Sequence, residues 1–322
     1  MTRELLVFRH GKSDRKVRSD NYHRPLKDGG KRDAQRAGVW LAQQGLVPDQ
    51  VISSPAERAR VSAEKACKAM GLYTGKIDRD RRVYKADLNA LLEVLGECRD
   101  SSRRVMLVGH NPGLEDLLRY LAEGDLPVAL KDKLLPTAAI ARLIMPEHWV
   151  GLQKGCASLI ALMRPDQLPK KFPFPDHSGT VLRDRPAYYY TQSSVIPYRM
   201  RDGNPEILVI LSSQKKQFVV PKGIKDPGLS GQDSAAKEAW EEAGVEGEVK
   251  EPALGSYHYE KWGSICTVDV YAMEVTAVVP EHAWQESHRG REWVSPAEAV
   301  KRLKQKALAP MVLDLAERLC AE

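Results

Sequence analysis

Three carboxylates and two imidazoles are the groups in this 322-residue chain best spaced to do chemistry. Glu238, Glu241 and Glu242 follow a glycine-rich turn in residues 223–245, GIKDPGLSGQDSAAKEAWEEAGV. On a helix, residues three and four apart share a face, so Glu238 and Glu242 line up with Glu241 beside them. Carboxylates crowded on one narrow face repel each other, and a hard cation relieves that repulsion. Mg2+ suits such a site, with Mn2+ as a substitute, because it takes oxygen ligands and keeps waters that leave room for substrate phosphates. The histidines stand at the ends of two short apolar runs, ELLVFR-His10-GKSD and RVMLVG-His110-NPG. A neutral, aimed imidazole attacks phosphorus to give a covalent intermediate. Arginines can neutralise the phosphoryl oxygens in the transition state.

Those residues need elements to position them. Apolar runs at residues 4–9, 50–53 and 104–108 predict buried strands, with further strands at 138–144 and 158–163. Helical patterns at 30–44, 56–70 and 114–122 alternate with them, which argues a three-layer α/β first half. Basic and small residues at strand ends are where such sheets place ligand groups. Residues 164–187 are rich in Pro, Lys and Asp and show no period, so they predict a stiff connector, with His177 solvated on it. We divide the chain into residues 1–165, a connector at 166–187, and residues 188–322. In the last part, strands are expected at 188–199, 206–212 and 218–220, a long hairpin at 248–259 and 264–275, and closing helices at 296–305 and 310–321. Strands around one glutamate-bearing helix make an α+β arrangement.

Bulk properties narrow the classes. Composition is that of a soluble globular protein. Net charge is +6, with the basic excess in the first half, which suits phosphate-rich ligands. The five cysteines are scattered and form no CxxC pair, so neither a disulfide framework nor a zinc site is expected. The first residues lack a signal-peptide apolar core and no apolar run spans a membrane, so a reducing cytoplasm and no membrane partner are expected. No zinc-finger spacing, RNP-type aromatic signature or arginine-rich tail points to nucleic acid, and no DNA partner is expected.

Two resemblances follow from these residues. RHGKSD, SSPAERARVSAE and VGHNPG, spread over residues 3–163, resemble the histidine phosphatase superfamily, in particular its short, SixA-like branch. The resemblance implies that His10 becomes phosphorylated and that Arg9, Arg58 and His110 form the phosphate pocket, with Lys12 and Asn111 as further substrate contacts. Larger members carry an acid that protonates the leaving group. None is assigned here: Lys85 stands where the SixA-like branch often has Glu, and Asp87 and Glu57 are near only in sequence. Without a strong acid, good leaving groups are favoured, such as phosphoanhydrides or a phosphorylated imidazole.

Residues 223–245 resemble the Nudix box, G-x5-E-x7-R-E-U-x-E-E-x-G-U with U aliphatic, through Gly223, Glu238, Ala239, Glu241, Glu242, Gly244 and Val245. Leu229 replaces the first Glu of the pattern and Lys237 its Arg, a pair that supports the join of loop to helix in the family. The resemblance implies an α/β/α sandwich and a metal held by Glu238, Glu241, Glu242 and the Gly223 carbonyl. Glu238 and Glu242 are the nearest candidates for the base, a role that differs among family members and is left open. FVVPKG, WEEAGVEGEV and GREWVSPAEA further resemble diadenosine and diphosphoinositol polyphosphate hydrolases. They make Lys222, Arg289 and Arg291 candidate phosphate ligands, with Lys215 and Lys216 beside them. Together the resemblances imply a bifunctional phosphohydrolase acting on nucleoside or dinucleoside polyphosphates. The alternatives are a protein phosphohistidine phosphatase with a nucleotide-sensing second domain, an inositol pyrophosphate or polyphosphate hydrolase, and an enzyme of RNA ends.

Overall fold

The computed structural model describes residues 2–123, 134–176, 179–214 and 216–321. His177 and Lys215 lie outside the described residues. The chain forms two compact units, Met1–Phe172 and Pro173–Glu322.

The first unit is built on a six-stranded sheet of β1 (Arg3–Arg9), β2 (Gln50–Ser53), β3 (Asp78–Arg79), β4 (Arg104–Gly109), β5 (Ile140–Met145) and β6 (Ser158–Met163). Their order is β3-β2-β4-β1-β5-β6. The β3-β2-β4-β1 pairs are parallel, whereas β5 and β6 run antiparallel at the other edge. Successive strand side chains point to opposite faces, and β1 feeds both cores. Leu5 and Val7 pack on the face of α3 (Leu88–Gly96) and α4 (Gly113–Leu121), while Leu6 and Phe8 pack toward α1 (Asp28–Gln43) and α2 (Glu57–Ala69). This is the expected three-layer α/β fold. Helix α3 is an element that periodicity did not reveal; Asp87 starts it by accepting the Ala90 N–H.

The stretch expected as an irregular connector carries a short hairpin, β7 (Phe172–Asp176) and β8 (Gly179–Arg183). Prolines are tolerated there because a two-stranded sheet has only edges.

The second unit is a mixed sheet of β9 (Thr191–Arg201), β10 (Asn204–Leu211), β11 (Phe218–Val219), β12 (Lys222–Ile224), β13 (Val245–Val249), β14 (Gly255–Lys261), β15 (Ser264–Val278) and β16 (Arg291–Val294). Helix α5 (Gly231–Glu238) covers one face through Ala235. Helices α6 (Pro296–Arg302) and α7 (Ala309–Ala321) cover the other through Ala299, Val312 and Leu315. The α/β/α sandwich is thus present. The strand expected at 248–259 is two strands, β13 and β14, which pair with different stretches of the long β15. Pro252 falls between them and lacks the N–H a ladder needs. The second surprise is in the glutamate helix, which widens into a π-helical turn at Ala239–Ala243. Such turns are uncommon and concentrate at functional sites. Among the described residues no helix is long and apolar enough to cross a membrane.

Candidate active sites

The first sheet brings its strand ends to one edge. β1 leads into His10, β2 into Ser54 and Arg58, and β4 into His110. Arg9 pairs opposite Gly109, so the two histidines that follow are neighbours, with ring centroids 5.0 Å apart. The backbones crowd here: a Cβ on Gly11 would lie 2.5 Å from the Gly30 carbonyl oxygen. The Gly11 N–H donates to Ser62 Oγ at 2.9 Å, and that hydroxyl donates to the Arg58 carbonyl at 2.6 Å. Ser62, where the motif has Thr, thereby ties the β1 loop to α2.

Hydrogen bonding sets the state of the first imidazole. His10 Nδ1 lies 2.7 Å from the Gly11 carbonyl, which only accepts, so Nδ1 carries the proton. Nε2 keeps its lone pair and accepts from Arg58 Nε at 3.2 Å. Burial, together with the charges of Arg58, Arg9 and Arg24, pushes His10 down to about 4. Burial and then His10 push His110 down to about 2, and its Nε2 lies 2.8 Å from Ser54 Oγ. Both rings are therefore neutral at physiological pH.

A cavity of about 620 Å³ lies over them. It gathers the six residues expected on this side: Arg9, His10, Lys12, Arg58, His110 and Asn111. Arg9 is anchored by Nη1 on the Leu135 carbonyl at 2.8 Å, and its buried Nε has no partner among the described residues. No Asp or Glu lines the cavity among the described residues. Lys85 leans over the Tyr84 ring at 5.5 Å instead. Asn111 needs a correction: both donor contacts of its amide go to Glu115 Oε1 (2.6 Å) and the Leu135 carbonyl (3.0 Å), so it braces the wall and does not present an N–H to phosphate.

The second site assembles around Gly223. A Cβ there would fall 2.0 Å from the Glu238 carboxyl carbon, so the close seat of that carboxylate against the turn requires glycine. Glu242 Oε2 accepts the Lys222 N–H at 3.0 Å, and Oε1 pairs with Arg289 Nη1 at 2.6 Å. Glu241 lies 3.8 Å from Lys237. Burial, then Glu242 and Glu241, push the Glu238 carboxyl up to about 7. Lys222 Nζ donates to Gln192 Oε1 (2.6 Å) and Tyr259 Oη (2.8 Å), and burial, then Lys261, lowers it to about 8.

The two arginines expected to bind phosphate do other work. Arg289 is 5% exposed and holds Glu242, Glu286 and the Leu211 carbonyl. Arg291 donates to the carbonyls of Ala243, Gly244 and Val279, closing the end of the π turn. Each guanidinium is engaged by acceptors that tertiary packing brings to it. Lys216 is exposed. Among the described residues no three acidic, histidine or cysteine side chains converge as a ready-made metal cage. Glu242 is turned onto Arg289, and Glu241 lies beside Lys237.

Two family models match the chain: the histidine phosphatase superfamily (branch 1) over residues 5–83, and the NUDIX domain over residues 191–315. Nudix hydrolase 16, mitochondrial, of Arabidopsis thaliana is 32% identical over 127 residues, covering 33% of this chain and 68% of that one. The chain joins a histidine phosphatase domain to a Nudix domain. Both belong to hydrolase families. An uncharacterised protein of Mycobacterium tuberculosis is 31% identical over 163 residues, 49% of this chain and 99% of its own. A solved structure of the protein histidine phosphatase SixA complexed with tungstate is 20% identical, with a TM-score of 0.43 over 51% of this chain and 97% of that chain.

The Nudix family generally uses a divalent metal such as Mg2+, and the donor set here fits one. The donors are oxygens, and burial together with the neighbouring Glu242 and Glu241 charges disfavours an ionised Glu238, a cost that a divalent cation offsets. The loop–helix join is also tied, by a residue the motif did not mark. Lys237 Nζ pairs with Asp226 Oδ2 at 2.6 Å, and the Asp226 side chain is 8% exposed. The Asp226 N–H donates to Ser234 Oγ and its carbonyl accepts the Leu229 N–H. Asp226, three residues upstream of the consensus Glu, thus takes the place that Leu229 leaves vacant.

Proposed function

We propose that the chain is a bifunctional phosphohydrolase of nucleoside and dinucleoside polyphosphates, in which the Nudix domain cuts an anhydride and the phosphatase domain removes a terminal phosphate. The observation that supports it most is the first cavity: a neutral imidazole with a lone pair on Nε2, arginines beside it, and no lining carboxylate among the described residues. His10 Nε2 attacks the terminal phosphorus, the P–N bond forms as the bridging P–O bond breaks, and the leaving phosphate departs as an anion that needs no proton. Arg9 and Arg58 hold the phosphoryl oxygens and His110 completes the pocket. Water then cleaves the P–N bond, releasing inorganic phosphate and restoring the imidazole. A phosphorylated protein imidazole is the second reading, because its leaving group also needs little acid assistance.

In the Nudix domain, Glu238, Glu241, Glu242 and the Gly223 carbonyl would hold Mg2+, with Mn2+ as a substitute. Bound there, the ion would supply Lewis-acid neutralisation of anhydride oxygens. Glu238 or Glu242 takes the proton of the attacking water. Lys222, fixed by Gln192 and Tyr259, sets one cation beside this face. Five unpaired cysteines fit a reducing cytoplasm as the setting.

The test is a screen of the full-length protein against nucleoside triphosphates, dinucleoside polyphosphates, inositol pyrophosphates and phosphohistidine protein, with magnesium, read by product identity. Cleavage of a nucleotide anhydride supports the proposal. Turnover of phosphohistidine protein with nucleotides bound and released intact would replace it with the signalling reading.

The pH dependence of the covalent step follows from burial. His10 is lowered to about 4, so it binds a proton more weakly than free imidazole and stays a nucleophile in mild acid. The rate of phosphoenzyme formation is expected to hold level from pH 8 down to about 5, whereas an unperturbed imidazole would lose half its activity near 6.5. A half-fall near 6.5, measured by rapid quench, would contradict the buried, neutral assignment.

A further inference from the structure

The cavity over His10 is larger and more cationic than one phosphate requires. Its volume of about 620 Å³ falls in the range of roughly 300–1,000 Å³ typical of small-molecule sites. Beyond Arg9 and Arg58, the lining includes Lys12, Arg15, Lys16, Arg24 and Lys27, all from one loop. That loop is closed at its base. The Lys27 N–H donates to the Lys12 carbonyl, the Asp14 N–H donates to the Pro25 carbonyl, and Ser13 bridges Leu26. Closure of this kind turns the segment into a compact surface loop of fixed ends. Its acids are already engaged: Asp20 with His23, and Asp14 with the Lys16 N–H and, at 4.0 Å, with Lys27. The side chains of Lys12, Arg15 and Lys16 make no hydrogen bond or ion pair among the described residues, and all three are exposed. Arg24 is held by Asn21 Oδ1 at 2.6 Å.

Like charges gathered around one cavity repel, and a ligand of matching charge density relieves the repulsion. A single phosphate is matched by Arg9 and Arg58 and leaves the loop cations unanswered.

We propose that Lys12, Arg15, Lys16 and Arg24 form a second anion subsite, which takes the inner phosphates of a chain of consecutive phosphates whose terminal phosphate lies at His10. The inference rests on the phosphoryl-transfer reading of His10 and gives that site its substrate class. The shared chemistry is the linked phosphate chain, whether inorganic or nucleotide-borne.

Equilibrium binding to full-length His10→Ala, in EDTA so that metal-dependent binding elsewhere is suppressed, tests it with inorganic phosphate, tripolyphosphate and ADP. His10→Asn serves as a second unreactive background should the alanine variant fold poorly. Tripolyphosphate is expected to bind about a hundredfold or more tightly than phosphate, and Arg15→Ala with Lys16→Ala to cut that ratio about tenfold or more. A similar gain with ADP marks a nucleotide chain, and a gain confined to tripolyphosphate an inorganic one; either supports the subsite. Equal affinity for phosphate and tripolyphosphate would overturn it and leave a pocket for one phosphate, as on a phosphorylated protein. A ratio untouched by the Arg15 and Lys16 changes would overturn it too. Because these affinities need no turnover, a protein that binds the chain as expected yet never phosphorylates His10 would fail the catalytic reading alone.

Discussion

Rapid quenching of the full-length protein with substrate labelled in its terminal phosphate is expected to trap acid-labile, base-stable label, and His10→Ala to abolish it. The label belongs on Nε2. Nδ1 is occupied by its bond to the Gly11 carbonyl, while Nε2 keeps the lone pair beside Arg58. Removing a nucleophile leaves only the binding and charge stabilisation of the pocket, so turnover at this site should fall roughly a thousandfold or more. His110→Ala tests a different group. It takes away the ring 5.0 Å from His10 but not the attacking atom, so a slower formation of the same label is expected. Label of equal amount in His10→Ala would place the nucleophile elsewhere.

The second large effect concerns the Nudix carboxylates. Glu241→Gln or Glu242→Gln is expected to lower metal-dependent cleavage by about a hundredfold or more, as for loss of one transition-state contact. Glu242 makes a further demand, because its loss leaves Arg289, 5% exposed, without one of its two carboxylate partners. Glu241→Gln is therefore the cleaner test, and thermal melting of both variants separates lost chemistry from lost packing. Leu229→Glu, which restores the consensus, should be nearly neutral, since Asp226 already holds Lys237 at 2.6 Å. Wild-type turnover in both Gln variants would mean that these glutamates do not hold the metal.

What the sequence made legible follows the range over which its signals act. ELLVFR and RVMLVG are apolar runs ending in histidine, and strand pairing alone then makes His10 and His110 neighbours. The box glutamates are close along one helix, so their proximity to one another was also local. Arg289 and Arg291 suggested phosphate by residue type alone, while the acceptors they engage, Glu242 and the carbonyls at the end of the π turn, lie 47 or more residues away. The Lys222–Gln192–Tyr259 network joins three strands and has no linear signature. Asp226 escaped notice because it stands in the loop three residues before the consensus position and meets Lys237 only in the folded chain. The loop that carries Arg15, Lys16 and Arg24 is closed by backbone bonds, which side-chain patterns do not encode.

Two chemistries in one chain make a separable pair. The proposed Nudix cut would leave a product with a terminal phosphate, and a cavity lined by no Asp or Glu among the described residues suits that anhydride phosphate, so a sequential pathway on one ligand class is expected. The direct measurement resolves products over time for wild-type protein, wild-type in EDTA, and His10→Ala with magnesium. EDTA should stop the first cut and leave consumption of purified intermediate intact, because Arg9 and Arg58 supply the positive charge beside His10. His10→Ala should make the first cut and accumulate the intermediate. Failure of the wild-type protein to consume that intermediate under any metal condition would contradict the account.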